Sequence, residues 1–200
     1  MAGPVRFAGW DGGKPEGRRV ADPFVVVAAA SYDQADLLFE AASKAIGEGA
    51  LKPYFDVFER EIQLKSGSGK MLRVPAVAGT NDGLLPTFFA ADEVHEWTGS
   101  KQRVHLVIEN GLAKREDAWS CSITTAGNPK VESVGLTLYQ YGQKVDSGEV
   151  KDPRFLFYWR EPKVNVDELT DETVLREAVA AANPEPWKRL DDLVARFREI

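Results

Sequence analysis

The stretch Phe24-Val-Val-Val-Ala-Ala-Ala30 is apolar at every position. A strand with one wet face alternates apolar and polar residues, whereas a strand buried on both faces does not. The run therefore belongs inside a sheet covered by helices on both sides. Its sequel agrees. Ser31-Tyr-Asp-Gln34 has the S-x-x-Q form of a capping box. Leu38, Ala41, Ala42, Ala45 and Ile46 keep helical spacing, and Gly47 can close that helix. A buried strand, a capped turn and a helix form the first part of a parallel crossover, which points to an α/β fold.

The rest of the chain repeats this alternation. Ile62 and Leu64, then Leu72 and Val74, alternate with polar residues around Ser66-Gly-Ser-Gly69, which predicts a hairpin. Pro86 introduces a compact strand, Thr87-Phe-Phe-Ala-Ala91, that ends in Asp92-Glu93. Val104, Val107, Ile108 and Leu112 share a helical face, with Gly111 near its end. Trp119 to Thr125 reads as a third strand, stopped by Ala126-Gly-Asn-Pro129. Val134, Leu138, Tyr141 and Val145 mark a further helix, and Phe155-Leu-Phe-Tyr-Trp159 reads as a fourth strand.

From Asp167 onward the pattern is helical. Val174, Leu175, Ala178, Val179 and Ala182 form one stripe, and Leu190, Leu193, Val194 and Phe197 another. Pro186 is placed as a first-turn proline of the second helix. The 23 residues ahead of the first strand are rich in Gly, Pro and Arg and read as an irregular lead-in. The expected organisation is therefore a lead-in over 1–23, a mostly parallel α/β core over 24–165 and a helical segment over 166–200.

Composition narrows the function classes. Of the 200 residues, 44% are hydrophobic and 28% charged, with a net charge of −6, enough apolar content for a packed core. A uniformly basic nucleic-acid coat is excluded, although a local basic groove is not. The acidity is uneven: residues 161–200 hold 6 Lys and Arg against 10 Asp and Glu. The single cysteine, Cys121, excludes an internal disulfide and a multi-cysteine zinc site. No apolar run approaches the ~20 residues of a membrane-spanning helix. A reducing compartment fits.

The chemistry is concentrated at two strand ends. In open α/β sheets, ligands bind beyond the carboxyl ends of the strands. Asp92 and Glu93 emerge at such an end. A paired Asp-Glu there suits a nucleoside triphosphatase, one carboxylate holding Mg²⁺ and the other polarising the attacking water. The residues alone also allow two solvated acids opening a turn. Ser122-Ile-Thr-Thr-Ala-Gly127 ends the next strand, so a parallel sheet would bring Thr124 and Thr125 near the carboxylates. Their hydroxyls can bond a γ-phosphate or its water, or simply finish a Thr-rich strand.

Leu84-Leu-Pro-Thr-Phe-Phe-Ala-Ala-Asp-Glu-Val-His-Glu-Trp97, followed by Ser122-Ile-Thr-Thr-Ala-Gly127, resembles the ATPase domain of the large terminase subunit of tailed bacteriophages. Val25-Val-Val-Ala-Ala-Ala-Ser-Tyr-Asp-Gln-Ala35 adds to the resemblance, which runs over essentially the whole chain. It implies a RecA-like sheet in which Asp92 and Glu93 are the Walker B pair. Asp92 would bind Mg²⁺ and Glu93 would activate water. Thr124 and Thr125 would form the coupling motif that senses the γ-phosphate of ATP. It further implies double-stranded DNA, a portal and a small terminase subunit as partners, a ring of sibling subunits, and assembly in the host cytoplasm.

One departure is large. The family's phosphate loop should precede the strand at 24–30, yet no G-x-x-x-x-G-K-[ST] run occurs in the chain. Ser66-Gly-Ser-Gly-Lys70 is a decoy, with Leu64 where the first Gly belongs and Met71 in place of Ser/Thr. The resemblance thus implies a core incomplete at its N-terminus, lacking the family's nuclease domain, with residues 166–200 as the approach to it. Such a chain is expected to be marginally stable alone, or to associate with a partner, and to hydrolyse ATP weakly or not at all. The competing expectation is a non-catalytic interaction module or inactive prophage remnant of the same fold.

Other candidates are weaker. His95-Glu96 lacks the second His of H-E-x-x-H, since position 98 is Thr98. His95 is expected to cap or pack near the acidic pair, and Cys121 to be a buried structural thiol. Trp10, Trp97, Trp119, Trp159 and Trp187 read as core or interface residues. No Arg lies in Gly79-Thr-Asn-Asp-Gly83, where relatives can carry an arginine finger, leaving Arg73, Arg103 and Arg115 as substitutes. Lys101, Arg103, Lys114 and Arg115 form a small basic group that could touch DNA phosphates or simply be a solvated face.

Overall fold

The computed structural model describes residues 5–75, 83–116 and 118–198. The loop Gly79–Gly83, apart from Gly83 itself, lies outside the described residues. The chain divides into two compact units, residues 1–141 and 142–200.

The first unit opens with a hairpin, β1 (Val5–Asp11) and β2 (Lys14–Arg19), where an irregular lead-in is expected. The physical reason is the Gly12-Gly13 pair. Both residues have positive φ, +54° and +80°, which is the geometry of a tight two-residue hairpin turn. Glycines read as loop punctuation are here the turn itself.

The main sheet has six strands. They are β3 (Phe24–Ala29), β4 (Phe55–Val57), β5 (Glu61–Leu64), β6 (Lys70–Pro75), β7 (Phe88–Asp92) and β8 (Trp119–Ile123). Their order is β4-β5-β6-β3-β7-β8. The four strands β6-β3-β7-β8 are parallel, and β5 and β4 extend the sheet antiparallel. The fold is thus a mixed, mostly parallel sheet flanked by helices, of the RecA-like kind. The predicted hairpin at 62–74 is β5–β6, with Ser66–Gly69 as its turn. The short edge strand β4 carries no sequence signal.

Burial of β3 follows its composition. Val26 and Ala28 pack in one cluster with Phe89, Ala91 and the helix α2 (Ser100–Leu112), through Val104, Ile108 and Leu112. Val27 and Ala29 point the other way and are equally buried. On that side α1 (Tyr32–Glu48) packs on β3 and β6, burying Ala35 and Phe39. The predicted capping box is present: the Ser31 hydroxyl accepts from Gln34 N–H, and the Gln34 side chain accepts from Ser31 N–H.

Thr87 sets the register of β3 against β7. Its buried hydroxyl accepts from Phe24 N–H and donates to Phe24 O, both at 3.0 Å. Its own N–H donates to Phe24 O at 2.7 Å. Asp92 is thereby placed opposite Ala29 on β3 and Ile123 on β8.

The helix α3 (Val134–Asp146) begins in the first unit and ends in the second. Within the second unit, and contrary to expectation, Phe155–Trp159 is not among the strands of the described residues. Phe157 and Trp159 stack with ring centroids 6.4 Å apart, whereas Leu156 is 91% and Tyr158 72% exposed. The run is one-sided rather than buried on both faces, so its apolar character does not come from a sheet. A capped 3₁₀ turn (Val166–Thr170) leads to α4 (Glu172–Ala182) and α5 (Leu190–Arg198). Leu175, Ala178 and Val194 are buried there, and Arg198–Glu172 and Arg176–Asp191 ion pairs link α4 and α5. Pro186 lies in the intervening loop, not in the first turn of α5. That turn begins later because Asp191 and Asp192 supply its N-terminal acidic residues.

Candidate functional site

The site grows out of the end of β7. Asp92 is its last residue, and Glu93 follows with φ +49° and ψ +48°. This left-handed conformation is uncommon for a non-glycine residue and costs about 1–2 kcal/mol. It turns the chain sharply off the strand into a 3₁₀ turn over Val94–Glu96. Asp92 and Glu93 both stay partly buried at the strand end.

Three contacts hold this turn. The Asp92 Oδ1 accepts from Glu93 N–H at 2.9 Å. The fully buried Trp97 donates its indole N–H to Asp92 O at 2.9 Å, and Trp97 O accepts from Val134 N–H at 3.1 Å. The Trp97 ring also packs edge-on against Phe89 and His105. Strained backbone at a strand end, fixed by a buried aromatic, is the kind of over-determined geometry found at functional sites.

The sheet brings Thr124 to the same place, one residue beyond β8. Its Oγ1 accepts from His95 N–H at 3.1 Å and lies 2.8 Å from His95 Nδ1. His95 Nδ1 is also 3.0 Å from Glu93 Oε2, and Nε2 is 3.1 Å from Glu96 Oε1. Glu93 Oε2 is buried and accepts no hydrogen bond, so its approach to His95 is close but not aligned for one. Thr125 is exposed, and its carbonyl accepts from Thr124 Oγ1–H at 3.0 Å. The parallel sheet thus brings Asp92, Glu93 and Thr124 to one end, with His95 linking Glu93 to Thr124. The hydrogen bonds to Thr124 carry a signal that spacing could not give, because they cross between two strands.

These groups suit Mg²⁺ and a nucleotide. Mg²⁺ favours hard oxygen donors and is commonly held by one or two carboxylates together with substrate phosphates and water. Asp92 has such oxygens, and Glu93 Oε2 is buried without a hydrogen-bond partner. Among the described residues no group of three or more His, Cys, Asp or Glu could hold a metal by itself.

The remaining candidates separate cleanly. Arg73 is ion-paired to Asp36 of α1 and lies over the rings of Tyr32 and Phe39. Arg115 donates to Ala21 O at 2.9 Å, and Arg103 is exposed on α2. Cys121 is half-buried on β8 rather than buried, because β8 is an outer strand of the sheet. Trp97 is a core residue, whereas Trp10, Trp119 and Trp187 are exposed. His105 lies behind the site against Phe89 and Trp97, and burial lowers its pKa from 6.5 to about 4. Its neighbour Glu109 has a raised pKa, also mainly from burial.

Asp92 and Glu93 thus stand at the end of an inner parallel strand, beside Thr124 from the next strand. The family described as "Terminase large subunit, ATPase domain" matches residues 18–144, and the chain belongs to it. The chain is 27% identical over 165 residues to the Gene 13 protein of Mycobacterium phage L5, covering 78% of this chain and 28% of that protein. Among solved structures it superposes on the HK97 bacteriophage large terminase with a TM-score of 0.70 and 20% identity, covering 90% of this chain and 36% of that one. The shared fold is the mostly parallel sheet. The chain spans about a third or less of the length of either relative. Among the described residues no helix is long and apolar enough to cross a membrane.

Proposed function

We propose that this chain carries the hydrolytic part of the ATPase motor of a phage DNA-packaging terminase. The observation behind the reading is the buried Glu93 Oε2, without a hydrogen-bond partner, at the strand end that carries Asp92 and meets Thr124 through His95. In this reading Asp92 holds Mg²⁺, which supplies charge neutralisation at the β- and γ-phosphates when bound. Glu93 accepts a hydrogen from the attacking water and orients it. Thr124 and Thr125 hold the γ-phosphate side of the site and report its loss. Asp92, fixed by the Glu93 N–H and the Trp97 indole, needs no rearrangement to present its carboxylate.

The 200 residues contain no phosphate-binding G-x-x-x-x-G-K-[ST] run. We assign the chain alone weak nucleotide binding and weak turnover for that reason. In the assembled motor the partners would be double-stranded DNA, the portal, the small terminase subunit and sibling subunits in a ring, in the host cytoplasm. The competing reading is a non-catalytic interaction module or inactive remnant that keeps the fold for assembly.

Nucleotide titration separates the two. A fluorescent ATP analogue should bind saturably with Mg²⁺, and Asp92→Asn should remove the Mg²⁺ dependence. A folded protein showing no Mg²⁺-dependent binding at millimolar analogue favours the module.

A further inference from the structure

We propose that His95 is a positioning residue: its ring ties Thr124 to the turn that carries Glu93, and so leaves the Glu93 carboxylate free to take a water hydrogen. The inference rests on reading Glu93 as the water-activating carboxylate.

Counting hydrogens gives the first support. A threonine hydroxyl has one hydrogen and two acceptor lone pairs. The Thr124 hydrogen goes to Thr125 O at 3.0 Å, and one lone pair takes His95 N–H at 3.1 Å. In this proposal the remaining lone pair of Thr124 Oγ1 accepts from His95 Nδ1, 2.8 Å away. We therefore assign a ring proton to Nδ1, pointing at Thr124; a ring protonated only on Nε2, toward Glu96 Oε1, would overturn the proposal.

Exclusivity gives the second. The same Nδ1 lies 3.0 Å from Glu93 Oε2, which is buried and accepts no hydrogen bond. One N–H cannot serve two acceptors well. While Thr124 holds it, Glu93 keeps a free lone pair, as an acceptor for a water hydrogen requires. If Thr124 withdraws, the Nδ1 proton turns to Glu93 and occupies that lone pair.

Close packing gives the third. A Cβ at Gly127 would lie 2.8 Å from His95 Cβ, and one at Gly135 would lie 2.9 Å from His95 Cα and N. The loop after β8 and the first turn of α3 therefore close on His95 from two sides. Its far edge faces Glu96 Oε1 at 3.1 Å. Three separate segments meet at this one residue, so a shift of Thr124 is transmitted to Glu93 rather than absorbed.

Two readouts test this on the full chain. The first is the ring-nitrogen NMR spectrum, which is simple because the chain has 2 histidines. The Nδ1 proton of His95 should be protected from exchange. Thr124→Val should expose it and move the Nδ1 resonance, whereas Thr125→Val should leave it in place. An Nδ1 signal indifferent to Thr124→Val overturns the proposal.

The second readout is ATP hydrolysis under single-turnover conditions, which reads weak activity. His95→Asn keeps a donor at the Nδ1 position, and His95→Gln moves it to the Nε2 position. His95→Asn should retain most of the rate at unchanged half-saturation. His95→Gln and Thr124→Val should lose roughly ten- to a hundredfold, the scale of a mispositioned catalytic group. Equal loss in the two His95 variants means the ring merely fills space and overturns the proposal. Glu93→Gln marks the parent reading separately. If turnover survives it, Glu93 is not the water-activating group, whatever the ring spectrum shows.

Discussion

Stability should fall as pH drops from about 7.5 to 5, and His105 should account for a defined part of that loss. Its ring is buried against Phe89 and Trp97, and its Nε2 has no hydrogen-bond partner, with Glu109 Oε1 too distant at 3.8 Å. Burial penalises the charged form and takes the pKa from 6.5 to about 4. The folded-state value is the lower one, so between these values the unfolded chain binds a proton that the folded chain refuses. The favourable state is complete above the unfolded value and is lost as pH falls toward the folded value. At pH 5 the difference amounts to about 2 kcal/mol, from ~1.4 kcal/mol per unit. Glu109 works in the opposite sense: its raised folded pKa makes the fold weaker as pH rises through that value. Urea unfolding of the wild type and of His105→Gln at pH 7.5 and pH 5 isolates the histidine, because most other carboxylates cancel in the difference. The wild-type curve should fall by about 2 kcal/mol more than that of the variant. Parallel pH dependences would refute a buried, neutral His105.

Two substitutions probe how the strand end is held. Gly111→Ala places a Cβ 2.2 Å from the Leu84 carbonyl, so backbone must move. Despite alanine's better helix propensity, it should destabilise by about 1–3 kcal/mol in thermal or urea unfolding. Trp97→Phe deprives Asp92 O of its indole donor inside the core and leaves a small cavity. It should lose about 2–4 kcal/mol, and unchanged stability would mean that the indole bond contributes nothing.

Much of the fold is legible in the sequence because its cues are local. The unbroken apolarity of Phe24–Ala30 gives a strand buried on both faces, and Ser31 with Gln34 gives the helix start. Asp92, Glu93 and Thr124 are legible as a group because parallel neighbours align their carboxyl ends. What escapes depends on context. Gly12-Gly13 signals a turn, but the turn becomes a hairpin through the polar strand Lys14–Arg19, which has no apolar pattern. Phe155–Trp159 has strand composition but is no strand among the described residues. The left-handed Glu93 and the hydrogen bonds of His95 to Thr124 arise from a close approach between segments 29 residues apart, which no local pattern encodes.

The most direct test is the effect of Glu93→Gln on ATP hydrolysis, with Mg²⁺-ATP binding measured in parallel. The substitution keeps the size of the side chain and removes its capacity to accept a water proton. Turnover should fall by about a hundredfold or more while nucleotide affinity stays within about threefold of wild type. Turnover equal to wild type, at equal affinity, would contradict the assignment of this strand end as the hydrolytic centre.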